Sequence, residues 1–167
     1  MKLLKTRIAL TVGLLATGSV AFGVEGTTTF GVAATVEDAC QLSASPLAFG
    51  AFDTAVANTN KDAETTIDVT CSNGTPYNIG LDAGGASLAT VSTRQMTGGT
   101  GTDLLDYALY SDTGRTSNWG ETVATDTVAD TGSGLSQVKT VYGRIPSGQA
   151  TAPTGAYSDT ITVTVTY

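Results

Sequence analysis

The nearest approach to a catalytic pair in this 167-residue chain is Asp103 and Asp106. Two carboxyl groups that flank a glycosidic bond can serve as acid and nucleophile, or as acid and base. Here one of them closes a glycine-rich loop, and no partner in a contrasting environment can be named. That loop, Gly98-Gly99-Thr100-Gly101-Thr102-Asp103, has the glycine density of a phosphate cradle. It lacks the lysine of a P-loop and its strand-to-helix setting. Asp126 and Asp130 could offer oxygens to calcium, but without the spacing of a calcium loop. Asn73-Gly74-Thr75 matches a glycosylation sequon, and Asn-Gly is also a turn dipeptide, which is the stronger reading. Trp119 could stack on a sugar, although a lone Trp beside a strand is more often core. The chain contains no His. That removes Ser-His-Asp and Cys-His catalysis, His-ligated metals and the imidazole pH switch. The expectation is therefore no enzyme, no catalytic residue, no metal and no cofactor.

Charge narrows the partners. Eight bases face fifteen acids, a net charge of −7. Such a chain repels nucleic acid and anionic lipid. Arg94, Arg115 and Arg144 read as counterions for neighbouring acids, not as a binding patch. At the N-terminus Lys2, Lys5 and Arg7 form a basic start before an apolar run, Ile8 to Leu15, and Ala21-Phe22-Gly23 supplies small residues at −3 and −1 for cleavage, with Ser19-Val20-Ala21 as a second option. This is the plan of a secretory signal peptide over 1–23, and the run is too short to span a bilayer. Its removal would take three of the eight bases and none of the fifteen acids, leaving 144 residues at −10. An exported chain meets an oxidising compartment, so its two cysteines, Cys40 and Cys71, are expected to pair.

Strands must position these residues, because the chain is rich in Thr, which suits strands, and in Gly, which punctuates turns. From Thr28 to Val36, Thr28, Phe30, Val32, Ala34 and Val36 share one face of a period-two pattern. Further alternations occur at 65–71, 77–82, 104–110 and 138–145, with a weaker one around 92–97 in the glycine-rich stretch 83–103. The clearest closes the sequence: Ile161, Val163, Val165 and Tyr167 on one face, four threonines on the other. About seven short strands with turn signals between them predict an antiparallel β-sandwich.

Two blocks carry a family resemblance. Tyr107 to Gly120, with Tyr107, Tyr110, Asp112, Arg115, Thr116, Trp119 and Gly120 in place, resembles the central Y-x-x-Y-x-D…R-T…W-G block of the spore coat protein U domain family. Gly155 to Tyr167 resembles its closing G-x-Y-x-D-x-x-x-V-x-V-x-Y signature. That family includes subunits of archaic chaperone–usher pili. The resemblance implies an incomplete immunoglobulin-like antiparallel β-sandwich, all-β, whose missing strand comes first from a periplasmic chaperone and then from a neighbouring subunit. Residues 24–36 would be the donor strand, inserting Thr28, Phe30, Val32, Ala34 and Val36, and 37–167 the pilin domain. Ile161, Val163, Val165 and Tyr167 would border the acceptor groove that the chaperone recognises. The same alternation at 28–36 also suits a first strand of the domain itself. The partners implied are identical or related subunits in a head-to-tail fibre, the chaperone and an outer-membrane usher. The length leaves room for one domain, the expectation for a shaft or adaptor subunit. A role in adhesion or biofilm formation at the cell surface follows from the resemblance. The alternative is a secreted spore-coat or carbohydrate-binding module.

Overall fold

The structure, a computed structural model, describes residues 23–54 and 59–167. All but the last residue of the expected leader, 1–23, lies outside the described residues. The chain divides into two units, meeting between Thr35 and Val36. In the first, residues 23–35 carry no secondary structure, and Phe30 and Val32 are 86% and 85% exposed.

The described residues of the second unit, Val36–Tyr167, form nine strands: β1 (Cys40–Ala44), β2 (Lys61–Cys71), β3 (Pro76–Leu81), β4 (Arg94–Gly98), β5 (Leu104–Tyr110), β6 (Val128–Thr131), β7 (Gln137–Ile145), β8 (Tyr157–Ser158) and β9 (Val163–Thr166). Six of them form one sheet in the order β1-β2-β7-β5-β4-β8, and β6-β3-β9 form a second. Every pairing is antiparallel. The expected all-β sandwich of immunoglobulin-like type is the fold observed.

Alternation decides which face is buried. Ile67, Val69 and Cys71 of β2, Tyr77, Ile79 and Leu81 of β3, Leu105, Tyr107 and Leu109 of β5, and Val141 and Ile145 of β7 form one buried core. Trp119, which follows β5, joins it at 1% exposure and donates its indole N–H to the Ile79 carbonyl at 2.8 Å. Cys40 and Cys71 are register partners on β1 and β2 and are joined by a disulfide with Cα atoms 4.1 Å apart.

Three strands differ from the sequence expectation. β1 and β6 were not foreseen, since CQLSA and VADT are short and carry almost no apolar alternation. The closing segment is not one strand. Tyr157–Ser158 pairs with β4 in the six-stranded sheet, whereas Val163–Thr166 pairs with β3 in the other. The chain changes sheets between them because two carboxylates hold it there. Asp159 accepts from the Gly85 and Thr160 amides, both at 2.8 Å, and from the Tyr107 hydroxyl at 2.6 Å. Asp82 accepts from the Gly84 and Thr162 amides at 3.1 and 3.0 Å. Gly84 is required at this corner. Its φ is +84°, and a Cβ there would sit 2.0 Å from the Asp159 carboxylate.

Candidate functional site

Where the chain changes sheets, the sandwich is left open. Among the described residues β1 pairs only with β2, at one edge of the larger sheet, and β9 pairs only with β3, at one edge of the smaller. Each therefore has a row of main-chain donors and acceptors with no hydrogen-bonded strand on that side among the described residues. A groove of two adjoining cavities, of 810 Å³ and 460 Å³, which share Leu47, Phe49, Met96 and Tyr157, reaches these edges at its narrower part, where Ala44 of β1 and Val163 of β9 line it. The wider part is floored by Leu105 and Ile145 and walled by Phe52 and Ala152. The narrower part has Ile67, Leu81, Leu109 and Val141 below, with Ala44 to Leu47 on one side and Thr160, Ile161 and Val163 on the other.

The groove is mostly apolar because it is an uncovered strip of the core. Leu47, Phe49, Phe52, Met96, Tyr157, Ile161 and Val163 all pack against the core yet remain only partly buried. Phe49 meets Tyr107 edge-on, with ring centroids 6.2 Å apart. It can lie this low because β7 has Gly143 beneath it. A Cβ there would come within 2.6 Å of Leu47 and 2.9 Å of Phe49. Residues 47–52, LAFGAF, form a run whose apolar character is visible in the sequence. Its role as groove wall was not, because nothing local shows that Leu47 and Phe49 lie over a glycine nearly a hundred residues later.

The polar corner of the groove is held from below by Arg94, which is wholly buried. Its guanidinium donates to the carbonyls of Leu81, Asp82, Val91 and Trp119 at 2.7–2.9 Å. Burial pushes its pKa down, and the nearby Tyr107, Asp82 and Asp159 act against that. Burial, followed by the bond to Asp159, pushes the Tyr107 hydroxyl above the usual phenol range. Arg94 was read as a counterion; its direct partners are carbonyl oxygens. The other two arginines fit that reading, Arg115 lying 3.4 Å from both Asp62 and Glu64, and Arg144 lying 2.7 Å from Asp62.

Of the residues expected at the groove edge, Ile161 and Val163 line it. Val165 packs against the core from β9, and Tyr167 is 59% exposed. The expected donor residues Thr28, Phe30, Val32 and Ala34 belong to the first unit, and Val36 begins the second. The chemical candidates do not converge. Asp106 accepts from Gln95, while Asp103 accepts from Thr100. Asp126 caps its own loop through the Thr122 amide, and Asp130 pairs with Lys139. Among the described residues no cluster of three potential metal-ligating side chains occurs. Buried Trp119 offers no face to a sugar. Asn73-Gly74 forms the expected turn, Gly74 at φ +89°.

Residues 26–164 match the family model described as the Spore Coat Protein U domain. Over 88 residues the chain is 40% identical to "Protein U" of Myxococcus xanthus, a stretch that is 53% of this chain and 48% of the relative. Among solved structures, the fold resembles a chain of the CsuC–CsuE chaperone–tip adhesion subunit pre-assembly complex from the archaic chaperone-usher Csu pili of Acinetobacter baumannii. The TM-score is 0.60 at 21% identity, covering 80% of this chain and 41% of that one. The chain thus spans about half the length, or less, of the proteins it matches. At that identity the structural likeness is one of architecture.

Proposed function

Because the chain belongs to the spore coat protein U domain family, we propose that it is a structural subunit of a surface fibre, polymerised by strand exchange between copies. The observation that carries this reading is the apolar groove beside two half-paired strands. One inserted strand would satisfy free backbone groups and cover exposed core in a single step. The N-terminal segment suits that task. Thr28 to Val36 has no charge, and nine residues at about 3.3 Å each reach roughly 30 Å. Phe30, Val32 and Val36 are each more than four-fifths exposed. Burying them in a groove contributes ~1.5–3 kcal/mol apiece before ordering costs. Since donor and acceptor are different surfaces, the contact is head-to-tail and propagates without closing.

The neighbour's chaperone complex supports a periplasmic chaperone as the partner that shields the groove before assembly, with an outer-membrane usher to follow. Residues 1–23 would direct export and be removed, and the fibre would serve adhesion or biofilm formation. The family's description also supports an extracellular coat, in which the same head-to-tail chain would be laid down around a cell.

Deleting residues 24–35 tests the reading. The truncated chain should fold, keep its disulfide and bind the chaperone, yet form no polymer. A truncation that cannot fold on the chaperone would return 24–36 to the subunit's own sandwich. Undiminished polymer would remove the donor role. Immunogold labelling separates the two assemblies, as projecting fibres or as a continuous layer.

A further inference from the structure

The four residues before and into β1 are fastened to one turn. Ser72 and Thr75 bound that turn, which the Thr75 amide closes on the Ser72 carbonyl at 3.1 Å. The Thr75 hydroxyl, on a residue only 3% exposed, donates to the Asp38 carboxylate at 2.5 Å. The Ala39 amide donates to the Ser72 hydroxyl at 3.1 Å, and the Ser72 amide donates to the Ala39 carbonyl at 2.9 Å. The Ser72 hydroxyl also reaches the Glu37 carbonyl at 3.4 Å. One residue further on, Cys40 is bonded to Cys71. Residues 37–39 are nonetheless exposed and in no strand. Solvent-exposed coil of this kind ordinarily frays, and here hydrogen bonds and a covalent link stop it.

We propose that Asp38, Ser72 and Thr75 form a clasp that fixes where the N-terminal segment leaves the domain. The inference rests on the strand-exchange reading and adds a geometric consequence. With 37–39 clasped and 28–36 seated in a second copy, consecutive copies are joined by essentially no free linker. The clasp therefore sets the angle between neighbours and makes the joint stiff. Its residues are positioning residues: none of them lines either cavity of the groove.

Two measurements test this on the full chain. In the first, the Glu-specific cleavage rate after Glu37 is compared with that after Glu25 in purified subunit. The native chain should be cut readily at Glu25 and slowly at Glu37. Ser72→Ala with Thr75→Val should speed cleavage at Glu37 at least about tenfold, since it removes the Thr75–Asp38, Ala39–Ser72 and Ser72–Glu37 hydrogen bonds. Thr75→Ser in place of Thr75→Val should restore about half of the protection. In the second, negative-stain images give the persistence length of the polymers, which should fall at least twofold in the double variant while fibre yield and disulfide content stay unchanged. Equal cleavage at Glu37 in native and variant chains overturns the clasp. Faster cleavage with unchanged persistence length confines it to the subunit and overturns its role at the joint. If the native chain makes no polymer at all, strand exchange fails and the joint claim falls with it, while the cleavage measurement still decides the clasp.

Discussion

Arg94 shows how much one residue can hold. Its four carbonyl partners come from the exit of β3, the turn before β4 and Trp119, in the loop between β5 and β6. An ammonium has three donors on a flexible stem and cannot match that planar fork. Arg94→Lys should therefore lower stability by ~2–4 kcal/mol, read from the denaturant midpoint, with the wild-type slope unchanged. At the surface, three carboxylates have depressed pKa values. Asp62 is lowered mainly by its hydrogen bond to Arg144, Asp130 by Lys139, and Asp112 by the Ser117 amide. A carboxylate held below its unfolded value of 3.8 contributes stability above that pH and loses it as pH falls further. With no His to titrate, the melting temperature should be flat from about pH 5 to 8 and drop below about pH 4. A step near pH 6 would contradict this account. Asp62→Asn should shrink the acid-side drop.

At the scale of elements, the strands with an apolar alternation were legible, the edge strand β9 included, whereas the edge strands β1 and β6 were not. Ile67, Val69 and Cys71, or Leu105, Tyr107 and Leu109, show their alternation locally, and each lies in a central strand. β1 has no such pattern because its place is fixed by Cys40 and its register with β2, a contact made across 31 residues. The closing run looked continuous because both of its halves alternate. What interrupts it is Asp159, answered by Tyr107 and Gly85, and no local pattern encodes those distant partners. The groove was legible only in part, at Ile161 and Val163, for the same reason. Val163→Asp should put a charge against the core and cost several kcal/mol if unpaired. The measurable outcome is degradation of the subunit, or failure to co-purify with its chaperone, whereas normal fibre yield would contradict the groove assignment. Gly143→Val should lift Phe49 off β7 and narrow the groove, lowering polymer yield more than it lowers subunit recovery; equal losses would point to folding alone.

For the whole molecule, charge would set how the copies of the proposed fibre meet. With the leader removed each subunit would carry −10, so polymers should repel laterally and stay dispersed at neutral pH and low salt. They should bundle as pH approaches about 4 and the carboxylates protonate, which turbidity and electron microscopy would register. If copies are linked end to end through residues 28–36, as proposed, the disulfide has a further consequence. Any pull along the fibre enters the domain beside Cys40, at the start of an edge strand held by a single ladder. Applied there alone, tension would peel β1 from β2 one pair at a time. The covalent link hands the load directly to Cys71, and so to β2, which is paired on both sides and registers with β7 from Lys61 to Val69. The bonds of that ladder must then break together in shear. Pulled in a force spectrometer, the oxidised subunit should yield at high force in one event, and the reduced subunit should first lengthen gradually at low force.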